Sequence, residues 1–370
     1  MRRWSELRAH PQVIQGMTLG TLLRVLARNR FVVDTPCLGR LAYLLGLGVF
    51  NSLFGAWESL FSARDIERAV IGQPPLFILG HWRSGTTHLH NLLCQDTLLA
   101  SPRAFQAEFP HHFIFSFSQA GGFVFNFLAP PKRPMDNVPF AAGVPHEDEF
   151  ALAAASAVSP YMRVWFPVTG DSEYSCLDPQ KLSPEALEKW KQALILFLKK
   201  LTVFQPGRII LKSPPHLGRV ATLLEMFPGA QFVHIVRNPY DVYLSSWKLW
   251  KESLTHASLQ VADAELVDEL ILSWYVELFA LFERDRRLIP AGDLYEMKFE
   301  DLEARPLETL HAMYKALGLP GFDRFAKRVS AYLESISGYQ KNAYQLDEAA
   351  REKVADRWKA TFERYGYPIV

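Results

Sequence analysis

A short segment after the first apolar run holds the side chains best suited to bind a phosphate group. The segment Gly80–Thr87 reads GHWRSGTT, follows Leu76–Leu79 and opens a helical pattern. Backbone N–H groups at such a helix start point at an anion, and the helix dipole favours negative charge there. The glycine spacing matches a Walker A loop, but Thr86 replaces its lysine and Arg83 supplies the cation. The segment therefore predicts an arginine-based phosphate-binding loop.

A second candidate phosphate site begins at Arg237, which follows a later apolar run. Ser245 lies about two turns into the helix predicted after it. A guanidinium binds a phosphate through a bidentate fork, and a hydroxyl donates to it. A P-loop kinase needs a Mg²⁺-binding aspartate at this strand end, and an arginine stands there instead. We therefore expect phosphate-ester or phosphosulfate chemistry without a metal ion.

Alternating strands and helices must position these two segments. Strand patterns alternating with helical ones predict an α/β fold, with a central parallel sheet flanked by helices and similar to P-loop NTPases. Ligands bind such sheets at the carboxyl ends of the strands. We predict an N-terminal helical extension over 1–73 and an α/β domain over 74–370, largely helical in its C-terminal part. The predicted strands are Leu76–Leu79, Arg208–Leu211, Gln231–Val236 and Leu294–Phe299.

Composition excludes several classes of protein. The 370 residues are 49% hydrophobic, and 40 Lys and Arg nearly balance 39 Asp and Glu, for a formal net charge of +1. This balance argues against a broadly basic nucleic-acid binder and against a disordered charged chain. Cys37, Cys94 and Cys176 lie far apart and predict neither a disulfide framework nor a metal site, which favours a cytoplasmic location.

The two phosphate segments resemble the signature motifs of sulfotransferases that use 3′-phosphoadenosine 5′-phosphosulfate (PAPS). A third segment, Leu294–Leu302, is similar to the family's late strand ending in E-D-L, so the resemblance runs from about Leu76 to the C-terminus. Many cytosolic sulfotransferases carry lysine where this chain has Arg83. The tyrosylprotein sulfotransferases and several bacterial-type members carry arginine there. The alternatives are a P-loop-type small-molecule kinase and an inactive membrane-associated scaffold with the same fold.

The resemblance implies roles for individual residues. PAPS is the expected co-substrate, and adenosine 3′,5′-bisphosphate is the expected product. The 5′-phosphosulfate would be held by Arg83, Ser84, Gly85, Thr86 and Thr87, and the 3′-phosphate by Arg237 and Ser245. Lys341 precedes the last helices, where the family often closes a basic loop over the nucleotide, although the G-x-x-G-D-W-K form is absent.

The base that accepts the hydroxyl proton has three candidates. The first candidate is His216, which lies two residues further along the chain than the catalytic histidine of cytosolic members. Lys212 just before it is not a candidate base but fits the family's lysine that contacts the transferred group. Glu108 lies where members with a carboxylate base place a glutamate, and burial between phenylalanines would raise its pKa. The third candidate is the cluster of acid–base side chains at His146–Glu149. This cluster either faces the acceptor or only caps the helix predicted to follow it. We favour Glu108 slightly over His216.

A phenylalanine-rich stretch bears on the acceptor. Eight phenylalanines lie between Phe105 and Phe127, and the alternation of Phe113, Phe115 and Phe117 predicts a strand or an extended loop. The stretch is either a core-packing insertion or part of an apolar pocket. We predict a small-molecule or lipid-like hydroxyl acceptor, such as a lipid, glycolipid, sterol or polyketide-like alcohol.

An uncharged run near the N-terminus bears on membrane contact. Leu41–Trp57 has 17 uncharged residues, close to the shortest helix that spans a bilayer. A buried or interfacial helix is the simpler interpretation, and the basic flank upstream suits a helix resting on a membrane surface. Two alternatives therefore stay open for residues 20–60: peripheral contact with a membrane, or packing on the main domain. The sequence gives no oligomeric state.

Overall fold

The computed structural model describes residues 15–117, 121–128, 140–170, 173–337 and 346–369, without the side chains of Val124 and Leu128. These residues form two compact units. The helical unit comprises Met1–Ile71, Pro102–Pro206 and Lys248–Val267, and the sheet unit comprises Gly72–Ser101, Gly207–Trp247 and Asp268–Val370. The predicted division into 1–73 and 74–370 stays a prediction.

The sheet has five parallel strands in the order β2-β3-β1-β4-β5. The strands are β1 (Leu76–Leu79), β2 (Leu99–Ala100), β3 (Arg208–Lys212), β4 (Gln231–Val236) and β5 (Leu294–Lys298). The predicted α/β class with a central parallel sheet is therefore confirmed. The sequence pattern missed β2, because two residues are too short to show a period.

Helices make up the rest of the regular structure. In chain order they are α1 (Leu19–Arg28), α2 (Leu38–Arg68), α3 (Thr86–Leu93), α4 (Ala104–Glu108), α5 (Phe113–Ser116), α6 (Gly122–Leu128), α7 (Glu149–Ser156), α8 (Met162–Trp165), α9 (Pro184–Phe204), α10 (Val220–Met226), α11 (Pro239–Ala257), α12 (Ala264–Asp285), α13 (Phe299–Ala304), α14 (Pro306–Ala316), α15 (Phe322–Ser335), α16 (Glu348–Arg357) and α17 (Lys359–Tyr365).

The sheet is covered on both faces within its unit, which explains its continuous apolar strands. All four residues of β1 are buried. One face packs against α3, α14 and α15 through Leu76, Ile78 and their neighbours. On the other face Phe77 stacks on Phe232, with ring centroids 5.6 Å apart. Parallel sheets require this double cover, since their strands cannot turn a polar face to water.

Local sequence signals explain where several helices begin. Ser183 caps α9 by accepting a hydrogen bond from the Ala186 N–H, and Pro184 occupies the first turn, as predicted. The expectation of a strand or extended loop over Phe113–Phe117 is wrong, because residues 113–116 form α5. Phe113 packs on rings of α9, and Phe115 stacks on Trp57 of α2, so tertiary packing overrode the alternation.

The helical unit is built around α2, which packs on α1, α5 and α9. Its long sequence is mostly apolar, yet its buried residues include Asn51 and Glu58. Asn51 donates to the carbonyl oxygens of Gln15 and Met17, and Glu58 accepts from the Phe115 N–H at 2.9 Å. Buried polar groups need such partners. These contacts fix which side of α2 faces the unit.

Candidate active site

The loop after β1 contacts the helix after β4 through a side-chain hydrogen bond. Arg83 Nε donates to Ser245 Oγ at 2.7 Å, and the two residues lie 162 positions apart in sequence. Arg83 has a φ of 70°, a left-handed conformation that is costly for a residue with a side chain. The structure thus brings together the two sequence-predicted phosphate segments.

Both glycines of the loop are required by close packing. A Cβ on Gly80 would lie 2.7 Å from the Ile235 carbonyl oxygen and from Ser84 Oγ. A Cβ on Gly85, whose φ is 98°, would overlap the ring of Phe299. The backbone therefore lies against the sheet in a way that only glycine permits. Ser84 Oγ donates to the His81 carbonyl oxygen at 2.8 Å, which closes the turn.

Of the sequence-predicted residues, Lys212 ends β3, the strand beside β1, and His216 follows it. Lys212 is 2% exposed, and its Nζ donates to Thr87 Oγ1 at 3.3 Å. This contact places an ammonium group against the first turn of α3. His216 is fully buried in the 3₁₀ turn Pro214–Gly218, with its ring 5.4 Å from that of Phe77. The structure therefore brings Lys212 into contact with the loop.

Arg237 lies at the end of β4 and is held by two neighbours. Its NH2 group is 3.2 Å from Asp241 Oδ2, and its guanidinium lies 4.7 Å from the centre of the Phe299 ring. Its buried Nε has no hydrogen-bond partner among the described residues. A buried donor without a partner indicates an acceptor that the chain does not supply. Phosphate oxygens are acceptors of this kind.

Phe299 is a site residue that sequence reasoning missed. Its ring contacts Gly85 of the first loop and lies under Arg237 of the second segment. It stands directly after β5, at the carboxyl end of a parallel strand, and that position was the available signal. Glu300 beside it accepts from the Asn238 N–H at 3.0 Å, which fixes the turn after Arg237.

His81, inside the first loop, is buried among aromatic rings of the sheet unit. Its ring centroid lies 4.8 Å from that of Tyr275, and Trp82 stacks on Trp274. Burial lowers the pKa of His81 to about 4, against a smaller opposing effect of its hydrogen bond to the Trp82 carbonyl. The histidine is therefore neutral at pH 7, and Arg83 and Lys212 supply positive charge at the loop.

In the helical unit the structure pairs two of the candidate bases. Glu108 ends α4 with 3% exposure, and its Oε1 lies 3.4 Å from His146 Nε2. Glu108 Oε2 has no hydrogen-bond partner among the described residues. His146 is itself buried, and its ring lies 4.7 Å from that of Phe150. A buried carboxylate with one unoccupied oxygen can accept a proton from a hydroxyl.

The other members of the His146–Glu149 cluster are committed to local structure. Asp148 and Glu149 are fully buried at the start of α7. Glu149 accepts from Ser159 Oγ at 2.6 Å, and Glu147 accepts from the Tyr161 hydroxyl. Lys341 lies outside the described residues. Within the described ranges no group of three or more His, Cys, Asp and Glu side chains could hold a metal ion.

Comparison with known proteins identifies the family. A profile of the Sulfotransferase family matches residues 74–324. The omega-hydroxy-beta-dihydromenaquinone-9 sulfotransferase Stf3 of Mycobacterium bovis is 35% identical over 367 residues, which cover 99% of this chain and 94% of the relative. The chain belongs to the sulfotransferase family. This finding decides against the kinase and the inactive scaffold as alternatives.

Solved structures show the same fold. The sulfotransferase STF1 of Mycobacterium tuberculosis H37Rv superposes on this sulfotransferase with a TM-score of 0.65 at 18% identity, over 92% of this chain and 91% of that one. STF9 of Mycobacterium avium gives a TM-score of 0.60 at 16% identity, over 94% and 96% of the two chains. At this identity the likeness concerns the fold alone.

Proposed function

We propose that this sulfotransferase transfers the sulfuryl group of PAPS to the hydroxyl of an apolar, lipid-like acceptor. The observation that carries the proposal is the hydrogen bond from Arg83 to Ser245. It links a glycine loop after β1 to the helix after β4, at the carboxyl edge of the sheet. The sulfotransferase family generally uses PAPS as its donor, and the two linked segments match the two anionic ends of that molecule.

The residues present fit such a donor. Gly80 and Gly85 let the loop backbone pack closely against Ile235 and Phe299, which fixes the loop at the start of α3, where a helix terminus favours a phosphate group. Arg237 offers a buried Nε with no protein partner among the described residues. Ser84, Thr86 and Thr87 add hydroxyl groups along the loop and the first turn of α3. Cations and neutral donors in this arrangement suit a phosphosulfate and a 3′-phosphate.

The chain's own residues bind and orient the reactants. When bound, PAPS supplies an activated sulfuryl group on its 5′-phosphate. Arg83 and Lys212 stabilise the negative charge that develops on the sulfuryl and leaving phosphate oxygens. Arg237 and Ser245 bind the 3′-phosphate and so fix the nucleotide's position. The balance is simple: the acceptor O–S bond forms, the S–O bond to the phosphate breaks, and the hydroxyl proton passes to a base.

Glu108 is the base in this proposal, with His146 as the residue that orients it. The carboxylate is buried and keeps Oε2 without a partner among the described residues, while Oε1 faces His146. Oε2 therefore keeps its lone pairs available to accept a proton, as a general base requires. His216 is the alternative, and its complete burial against Phe77 supports it less well. Lys341 remains a candidate for contact with the nucleotide.

The acceptor class is supported by a relative and by composition. The Mycobacterium relative is named for an omega-hydroxy-beta-dihydromenaquinone-9 substrate, which carries a hydroxyl on an apolar molecule. The present chain is 35% identical to it over nearly its full length. The helical unit also contains many phenylalanines, some of them exposed: Phe123 is 75% and Phe127 81% exposed. We infer an acceptor of similar character, without assigning the same molecule.

We also propose that α2 rests on a membrane surface. One helical segment among the described residues, Thr35–Arg68, has the length and composition to cross a membrane, and only 22% of its apolar window is buried. Leu53 is 65%, Leu60 81% and Phe61 70% exposed. The opposite side of α2 carries buried Asn51 and Glu58, which bond to neighbouring segments. If α2 crossed the membrane, the hydrogen bonds of Asn51 and Glu58 would break. We therefore favour a cytoplasmic protein whose α2 lies in the membrane interface.

One experiment tests the donor. The purified chain is titrated with adenosine 3′,5′-bisphosphate and, separately, with ATP and Mg²⁺. We expect binding of the bisphosphate and loss of that binding in Arg237→Ala. Binding of ATP–Mg²⁺ alone would contradict the proposed donor. Incubation with isotopically labelled PAPS and a lipid extract then identifies the acceptor by its label, and a label found only in water-soluble polyanions would contradict the acceptor class.

A flotation assay tests membrane contact. The full chain is mixed with phospholipid vesicles containing anionic lipid and centrifuged through a density gradient. We expect the chain to float with the vesicles and to be released by mild detergent. A chain that stays at the bottom of the gradient at every vesicle concentration would refute the membrane contact and leave the donor assignment intact.

A further inference from the structure

A cavity of about 280 Å³ lies inside the helical unit, and its lining includes none of the residues assigned to the reaction. Its walls come from α2, from α9 and from the turn at Pro110 and His111. Most of the lining is apolar, as in small-molecule sites. The apolar lining includes Ala56, Ala155, Ala193, Leu196 and Phe197. A volume this small suits a short or slender molecule, or one end of a longer one.

The charged groups at the cavity neutralise each other. Lys200 of α9 forms an ion pair with Glu58 of α2, and both side chains are at most 5% exposed. Lys200 also donates to the Pro110 carbonyl oxygen, and burial lowers its pKa while Glu58 opposes that effect. A charge brought in by a ligand would find no free counter-charge in this pair. The cavity therefore selects for uncharged molecules.

His111 is a lining residue of the cavity and has a buried ring nitrogen without a partner among the described residues. Burial and the nearby Lys200 lower the pKa of His111 to about 4, so its ring is neutral at pH 7. The ring hydrogen-bonds to the backbone of Ala154, while its buried Nε2 has no partner among the described residues. A neutral imidazole has one donor and one acceptor nitrogen. With the donor directed to the backbone, Nε2 is left to accept from an O–H group.

The cavity opens to the surface along α2 and α9. Ala56 and Ser59 of α2 are exposed residues of its lining, and Leu196 of α9 is 50% exposed. Gly55 permits the close approach that forms one wall, since a Cβ there would lie 3.2 Å from His111 Cβ. A ligand can thus enter beside α2 without unfolding the unit.

We propose that this cavity is a binding site for an uncharged alcohol with an apolar chain, whose hydroxyl donates to His111 Nε2. This inference rests on the proposed function and makes it more specific. It assigns to the helical unit a ligand class, an uncharged hydrocarbon with a hydroxyl group. No donor nucleotide is needed for this binding, so it is measurable by itself.

The first test uses 1-decanol, decanoate and decylammonium as probes of equal chain length. Their binding to the full chain is measured by calorimetry below the concentrations at which they form micelles. We expect decanol to bind at least about tenfold more tightly than either ion, because a buried charge would lack a partner. Ala56→Trp should abolish decanol binding by filling the mouth. Leu53→Trp, on an exposed position of the same helix outside the cavity, should leave it unchanged.

The second test isolates the hydrogen bond. His111→Phe keeps a ring in place and removes the acceptor. The native chain should prefer decanol to decyl methyl ether several-fold, and the variant should bind the two equally. Unchanged decanol binding in Ala56→Trp, or equal binding of decanoate and decanol by the native chain, would overturn the inference. A chain that binds adenosine 3′,5′-bisphosphate but not decanol would refute this site alone, whereas the reverse would refute the proposed donor alone.

Discussion

The sheet unit and the helical unit use charge in opposite ways. The sheet unit places Arg83 and Arg237 at strand ends, where an anion can reach them, and forms ion pairs such as Arg357–Glu269 on its surface. The helical unit buries the ion pair Lys200–Glu58 and exposes apolar side chains on α2. The difference supports the proposal of an anionic donor on the sheet unit and an apolar ligand on the helical unit.

The largest expected effect separates buried charge from exposed charge. Lys200→Met leaves Glu58 buried without its partner, and should lower the free energy of unfolding by about 3–5 kcal/mol. Arg357→Met removes the exposed pair with Glu269 in the sheet unit, and should cost at most about 1 kcal/mol. Denaturant unfolding measures both. Equal losses in the two variants would show that burial does not distinguish the units.

The next effect separates chemistry from nucleotide binding. Glu108→Gln removes the proposed base while keeping its shape, so kcat should fall about 10³-fold. The affinity for adenosine 3′,5′-bisphosphate should stay unchanged, because the residues proposed to bind the nucleotide lie in the sheet unit. His216→Gln is the matched comparison. A large loss of kcat in that variant, with a small one in Glu108→Gln, would transfer the role of base to His216.

A smaller effect tests the glycine loop of the sheet unit. Gly85→Ala forces a Cβ into the ring of Phe299, and should weaken binding of adenosine 3′,5′-bisphosphate about 10²-fold. Gly292 has a similar φ of 94° but open space around it. Gly292→Ala should therefore cost about 1–2 kcal/mol of stability and leave nucleotide binding intact. If both variants bind the nucleotide equally, the close approach to Phe299 has no role in the site.

We expect acidification to destabilise both units to a similar extent. Burial lowers the pKa of His81 in the sheet unit to about 4 and that of His112 in the helical unit to about 3. The unfolded chain takes up these protons near pH 6.5, before the folded chain does, so stability falls as the pH drops below that value. Each histidine should cost about 2 kcal/mol between pH 7 and pH 5.

Urea unfolding at the two pH values checks this prediction. His81→Asn and His112→Asn should each show a smaller loss on acidification than the native chain, even where the variant is less stable at pH 7. A native chain that is equally stable at pH 7 and pH 5 would contradict the buried, neutral state of both histidines.

The smallest effect on stability concerns the exposed face of α2. Leu60 is 81% exposed, so Leu60→Ser should change the free energy of unfolding by no more than about 0.5 kcal/mol. Vesicle binding should nevertheless fall about tenfold, because one large apolar side chain no longer enters the lipid. Leu288→Ser, at a 55% exposed position of the sheet unit, is the control. Equal vesicle binding by all three chains would remove α2 from the proposed interface.

Sequence patterns were sufficient to predict those parts of the structure that depend on residues close together in the chain. The four longer strands were predicted within a residue at each end, because turn residues delimit them and three of them, β1, β3 and β4, are largely apolar runs buried on both faces. The cap at Ser183 and the loop at Gly80–Thr87 follow equally local rules. The alternation of Phe113, Phe115 and Phe117 misled, because rings that pack on α2 and α9 fit a short helix as well as a strand.

The sequence by itself determined the parallel sheet, the arginine-containing loop and the family to which the motifs belong, because these depend on spacing along the chain. Only the tertiary structure decided which distant residues meet: Arg83 with Ser245, Glu108 with His146, and Phe299 beneath both phosphate segments. It also decided which side of α2 is exposed. Such contacts depend on how complete elements pack, and packing is set by the shapes and partners of many side chains at once.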